Sequence, residues 1–153
     1  MSAILFVCKA NRIRSPLAAA LLRRHLAAQS DAGNWQVASA GVWTQAGLPA
    51  IPEAQEVAAA VGLDLRDHRS QPVDLVDLGA FDLVLAMERG QRDALRAENP
   101  AHLHRILTLT EVARGFAYDV ADPIGRSIDA YRTTLRDLDS LVQQSLPRIL
   151  ALS

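Results

Sequence analysis

Cysteine is almost missing from this 153-residue chain, with Cys8 as its one example. A lone thiol makes no intrachain disulfide and supplies no multi-cysteine metal site, which excludes a stapled secreted scaffold and a zinc ribbon. Lysine is equally scarce: Lys9 stands beside fifteen arginines, a bias that accompanies alanine richness. Net charge is missing too, since 16 basic against 17 acidic residues leave −1. Without a basic excess, attraction to a nucleic-acid backbone or an anionic membrane over distance is not expected. No hydrophobic run is long. The N-terminal stretch Ala3-Ile4-Leu5-Phe6-Val7 has no basic segment before it. It falls short of the roughly 7–15 residues of a signal-peptide core and the roughly 20 of a membrane span, so a cytoplasmic protein is expected. Repeats, low-complexity tracts and linkers are absent as well. What is present is ordinary for a globular protein, with half of the residues apolar and 22% charged. The length suits a single domain over residues 1–153.

Residues 3–7 read as a strand buried on both faces of a parallel sheet. From Pro16 the pattern becomes helical, with Leu17, Ala20, Leu21, Leu22, Leu26 and Ala28 apolar and Arg23, Arg24 and His25 interleaved; Pro16 suits a first helical turn. Further strands are expected over residues 35–38, 81–87 and 106–109, and further helices over 53–61, 90–98 and 126–146, the first of these stopped by Gly62. In the last helix Ile128, Tyr131, Leu135, Leu138, Leu141 and Val142 share one face. Alternating strands and helices imply a parallel sheet joined by right-handed crossovers. Ligands in such folds bind beyond the carboxyl ends of the strands, which directs attention to residues 8–15.

That loop reads Cys8-Lys9-Ala10-Asn11-Arg12-Ile13-Arg14-Ser15, followed by Pro16. A thiol at a strand end, facing a helix N-terminus and a concavity of backbone amides, is in an environment that binds anions and favours thiolate. Arg14 can fold back to offer two phosphate oxygens a planar fork of donors. Ser15 is placed to hydrogen-bond the sulfur as it leaves. These parts suit phosphoryl transfer through a thiol-phosphate intermediate, which also needs a general acid. Asp122, in Ala121-Asp122-Pro123-Ile124-Gly125, is the candidate, against the plainer reading of Asp-Pro as a turn. Plainer readings stand beside the others too: Cys8 as a small buried hydrophobe, Arg12 as solvated surface charge, His68 as a structural histidine, and His102 and His104 as surface or helix-end residues rather than a metal pair.

With these residues in place the chain resembles the low-molecular-weight protein tyrosine phosphatases, whose signature is Cys-x5-Arg-[Ser/Thr] near the N-terminus and Asp-Pro near the C-terminus. The matching segments run in family order: Val7-Cys8 to Ser15-Pro16, Ser39-Ala40-Gly41, Asp67-His68-Arg69-Ser70, Phe81 to Glu88, and Asp122-Pro123. The resemblance implies an α/β, three-layer, phosphatase I-like fold, a four-stranded parallel sheet with helices on both faces. It implies Cys8 as nucleophile, Arg14 as phosphate clamp and Asp122 as general acid. Residues 9–15 (Lys9, Ala10, Asn11, Arg12, Ile13, Arg14, Ser15) would bind phosphate, and Asn11, Ser39 and His68 would support the loop. No metal or organic cofactor is implied. The partner would be a phosphotyrosine protein or peptide, and the chain a monomer or weak dimer. It looks most similar to the bacterial branch that dephosphorylates tyrosine autokinases of capsule and exopolysaccharide export.

Three departures carry expectations of their own. Ala10 stands where the family usually has glycine, so a positive φ there would strain the loop and slow catalysis. Ile13 replaces a second cysteine, leaving Cys8 to oxidise stepwise without an internal partner. Ile124-Gly125 replaces paired tyrosines, so the aromatic pocket wall must come from elsewhere, with Trp43 the candidate. Two other functions compete: an arsenate reductase using an external thiol, and a phosphopeptide-binding module that has lost turnover.

Overall fold

The first strand, β1 (Ser2–Cys8), is apolar at almost every position because both of its faces are covered. Ile4, Phe6 and Cys8 point into one hydrophobic cluster, while Ala3, Leu5 and Val7 point into another. A computed structural model describes residues 2–29 and 32–152. Within it β1 pairs in parallel with β2 (Trp35–Gly41) on one side and β3 (Leu83–Ala86) on the other. The last strand, β4 (Ile106–Thr108), pairs in parallel with β3, giving the order β2-β1-β3-β4. The chain leaves β1 for one neighbour and later returns to the other. The end of β1 is therefore a topological switch point, where the connections diverge and leave a crevice.

One face of the sheet carries α1 (Arg14–Ala27), α2 (Pro52–Ala60), α4 (Leu109–Arg114) and α5 (Ile128–Leu150), with α5 packed against the other three. The other face carries α3 (Arg89–Glu98) and the 3-10 turns around Val73 and Leu78, with Leu95 buried beneath them. Helices on both faces of a four-stranded parallel sheet are what the sequence patterns imply. No helix among the described residues is long and apolar enough to cross a membrane.

Against the expectation β2 runs on to Gly41, β3 is confined to Leu83–Ala86 and α1 starts at Arg14, and two further boundaries shift for identifiable physical reasons. The apolar run 106–109 stops being strand at Thr108, whose hydroxyl accepts from the Glu111 amide while the Glu111 carboxylate accepts from the Thr108 amide. This reciprocal cap starts the short helix α4. The last helix begins at the Ser127 cap and continues through Pro147 to Leu150. Proline costs one backbone donor there, but Ile149 beyond it is fully buried, so packing extends the helix past its breaker. On the same stripe Leu138 is also fully buried. Leu138→Ala should lower stability by about 2–5 kcal/mol, read as a shift of the urea midpoint with the slope unchanged.

Candidate active site

The loop between β1 and α1 turns on one residue. Asn11 has φ 58°, the only positive φ outside glycine among the described residues. Asparagine tolerates this left-handed conformation better than most side chains. The expected strain at Ala10 is thereby corrected, because the positive φ falls one residue later, and the reason to expect slow catalysis from Ala10 goes with it.

Every polar group of Asn11 is occupied. Its amide Nδ2 donates to Ser15 Oγ at 2.8 Å and to Ser39 Oγ at 2.9 Å, and its Oδ1 accepts from the Gln71 amide at 3.0 Å. The obligate Gln71 donor fixes which end of the side-chain amide is oxygen. Its carbonyl meets His68 Nε2 at 2.7 Å, and its own N–H points to Cys8 Sγ at 3.3 Å. A carbonyl can only accept, so His68 carries its proton on Nε2. Asn11, Ser39 and His68 thus meet in one network, to which Gln71 belongs as well. Gln71 was not singled out from the sequence.

Gly41 completes the frame. A Cβ at that position would lie 2.7 Å from the Lys9 carbonyl oxygen and 3.0 Å from the backbone of Ala10 and Asn11, so only glycine lets β2 approach the loop this closely. Just past it the Val42 and Trp43 amides donate to the Cys8 and Lys9 carbonyls at 3.0 and 2.9 Å, tying the next loop to the cradle. Ser70 pins the same loop by accepting from the Leu48 amide and donating to the Gln45 carbonyl.

Inside this frame Cys8 Sγ lies 2.9 Å from Ser15 Oγ. Because Ser15 Oγ already accepts from Asn11, its own proton is free to go to the sulfur, the arrangement a thiolate requires. The amides of Lys9, Ala10, Arg12, Ile13, Arg14 and Ser15 donate to no acceptor among the described residues, and α1 begins at Ile13 without a side-chain cap. Uncapped amides at a helix start, arrayed around a thiol, form a cradle for an oxyanion.

Arg14 is 1% exposed and spans the same space. Its Nη1 binds the Glu88 carboxylate at 2.8 Å and the Val120 carbonyl at 2.7 Å. Its Nη2 has only a 3.5 Å contact with Asp122. The Nε/Nη2 edge, which forms a planar fork with two oxygens, therefore stays available. Glu88 stands in the sequence only as the end of the Phe81–Glu88 segment. Its place directly after β3, at the same end of the sheet as Cys8, is the signal that could have marked it.

Cys8, Arg14 and Asp122 line a single pocket of about 530 Å³ together with Lys9, Ala10, Arg12 and Ile13. Its outer wall comes from Trp43, Leu48, Ile51 and Ile124. Trp43 is 74% exposed and carries Lys9 Nζ 5.0 Å above its ring, a cation–π contact that steadies the indole. Arg12, half-buried along the pocket, donates from Nε to the Pro49 carbonyl at 2.8 Å. Asp122 is half-buried and accepts from the Ile124 amide, so the Asp-Pro turn and a carboxylate facing the pocket coexist.

Burial pushes the His68 imidazole below its usual range, opposed by its bond to Asn11 and reinforced by the charges of Arg23 and Arg69. A base with a lowered folded pKa binds fewer protons folded than unfolded. Stability is then complete above the unfolded value near about 6.5 and falls as pH drops through it toward the folded value. The melting temperature should fall on acidification across that window, and the His68→Asn variant should fall less steeply over the same pH series.

Comparison with known proteins gives the family. The model of the family described as low molecular weight phosphotyrosine protein phosphatase matches residues 3–151. A curated relative from Ralstonia nicotianae, the probable low molecular weight protein-tyrosine-phosphatase EpsP, is 36% identical over 149 residues, covering 97% of each chain. A protein-arginine-phosphatase from Bacillus subtilis is 35% identical over 141 residues, covering 92% of each. Among solved structures, the low molecular weight protein tyrosine phosphatase from T. tengcongensis superposes with a TM-score of 0.89 at 34% identity, covering 97% of this chain and 99% of that one. The chain therefore belongs to the low molecular weight phosphotyrosine protein phosphatase family, in its bacterial branch, and is a phosphatase.

Proposed function

We propose that the protein hydrolyses phosphotyrosine in proteins or peptides through a cysteinyl-phosphate intermediate, as a single domain over residues 1–153. The observation that carries the reading is the thiol of Cys8 at the floor of a cradle of unoccupied amides, with the Arg14 fork and the Asp122 carboxylate on the same pocket. The substrate phosphate would sit on the amides of residues 9–15 and on the Nε/Nη2 edge of Arg14. Cys8 Sγ attacks phosphorus as the bond to the phenolic oxygen breaks, and Asp122 gives its proton to that oxygen. A water then attacks phosphorus, returning its proton to Asp122, and the sulfur leaves as a thiolate held by Ser15. The chemistry calls for positioning and charge stabilisation rather than a metal or organic cofactor.

Relatives at nearly equal identity are named for tyrosine and for arginine phosphatase activity, so the wall and rim of the pocket bear on the choice. Trp43, Leu48, Ile51 and Ile124 offer apolar surface suited to a phenyl ring. A phosphoarginine would instead bring a guanidinium beside Lys9 and Arg12, two cations that oppose it. Phosphotyrosine is the reading favoured by both. The resemblance to the bacterial branch suggests a tyrosine autokinase of polysaccharide export as the protein substrate.

Turnover of an aryl phosphate and of phosphotyrosine, phosphoserine and phosphoarginine peptides, with chelator and reductant present, tests the proposal. Wild type should prefer the phosphotyrosine peptide, and Cys8→Ser should abolish turnover. Asp122→Asn should lose about a hundredfold or more in kcat, the range of general acid catalysis, while inorganic phosphate still binds. Full activity in Cys8→Ser or Asp122→Asn would remove the corresponding assignment, and a preference for phosphoarginine would overturn the substrate.

A further inference from the structure

The chain has one lysine, and it directly follows the candidate nucleophile. Its ammonium is exposed above the Trp43 ring on one part of the pocket wall. Arg12 lines the same pocket against the Leu48–Ile51 part of the wall. Its Nε is held by the Pro49 carbonyl, and its two terminal nitrogens have no partner among the described residues. Among the residues lining the pocket the charged groups are Lys9, Arg12, Arg14 and Asp122. Arg14 is buried and committed to Glu88, to the Val120 carbonyl and, by its free edge, to phosphate. Asp122 is needed for proton transfer. Lys9 and Arg12 remain as two cations that the chemistry at phosphorus does not use, placed on an apolar rim and accessible from solvent.

From this arrangement we infer a charge-reading subsite at the pocket mouth, in which Lys9 and Arg12 select phosphotyrosine segments carrying a carboxylate next to the phosphotyrosine. A substrate whose ring lies along Trp43 presents its flanking side chains at the rim, where the ammonium and the free end of the guanidinium lie. Both cations are side chains of the cradle's own residues. Lys9 is steadied by the indole, and Arg12 by a backbone carbonyl that fixes its middle and leaves its end free. Such partly held cations lose less side-chain freedom on pairing than free surface residues do. With Lys9 exposed and Arg12 half-buried on the open rim, they should act chiefly on encounter and discrimination, and their effect should fall with salt.

The inference rests on the phosphotyrosine reading, and the test separates the two. Two phosphotyrosine peptides are compared, one with glutamate on both sides of the phosphotyrosine and one with glutamine at the same positions, alongside an aryl phosphate that reports the chemistry alone. In wild type at low salt the glutamate peptide should have a kcat/KM about fivefold higher, the combined reach of two ion pairs on the solvent-facing rim. The ratio should fall toward one at high salt. Lys9→Met and Arg12→Met should each reduce the ratio, whatever happens to their absolute rates, and Lys9→Arg and Arg12→Lys should retain it. Equal rates for the two peptides in wild type, or a ratio unchanged in both methionine variants, would overturn the subsite while leaving phosphotyrosine hydrolysis standing. Turnover of the aryl phosphate without turnover of either peptide would overturn the phosphotyrosine reading, and the subsite with it.

Discussion

The active-site loop depends on Asn11 being held in a left-handed backbone conformation. For a residue with a side chain that conformation costs about 1–2 kcal/mol, and it reverses the chain so that the amides after Cys8 turn inward. Five hydrogen bonds offset the cost, joining Asn11 to Cys8, Ser15, Ser39, His68 and Gln71. The partners come from β1, α1, β2 and the segment before β3. Distant parts of the sequence therefore converge on one residue, whose hydrogen bonds shape the cradle.

Around that hub the remaining elements follow from space and charge. Gly41 allows β2 to run against the loop where any Cβ would collide with the Lys9 carbonyl. Arg14 is buried, and a buried guanidinium needs partners. Glu88 and the Val120 carbonyl occupy one end and leave the forked edge for the ligand. Val120 precedes Asp122 by two residues, so the group proposed to clamp phosphate also anchors the segment carrying the carboxylate. That link joins the two halves of the proposed reaction, attack by sulfur and proton donation to the leaving oxygen.

Much of this was legible in the sequence, for identifiable reasons. β1 declares itself because both faces are apolar, and the loop because Cys8, Arg14 and Ser15 carry distinct chemistry at short spacing. Contacts from distant segments were harder to read. Gln71 meets Asn11 through its backbone amide, which no residue type announces, and Glu88 meets Arg14 only because β3 lies beside β1. The usual glycine at the position of Ala10 draws attention there, whereas the positive φ belongs to Asn11, whose hydrogen bonds select it. Packing decided the rest: Ile149 carries α5 past Pro147, and Thr108 with Glu111 turns the end of an apolar run into a helix start.

The most direct test of this account is Asn11→Gly, which keeps the left-handed backbone accessible and removes every side-chain hydrogen bond. Turnover of an aryl phosphate and affinity for inorganic phosphate would be measured beside wild type. If the hydrogen bonds of Asn11 hold the cradle, both should fall, with kcat/KM lower by on the order of a hundredfold, the cost of misplacing reacting groups by about an ångström. Wild-type turnover and phosphate affinity in the glycine variant would contradict it, since backbone freedom alone would then suffice.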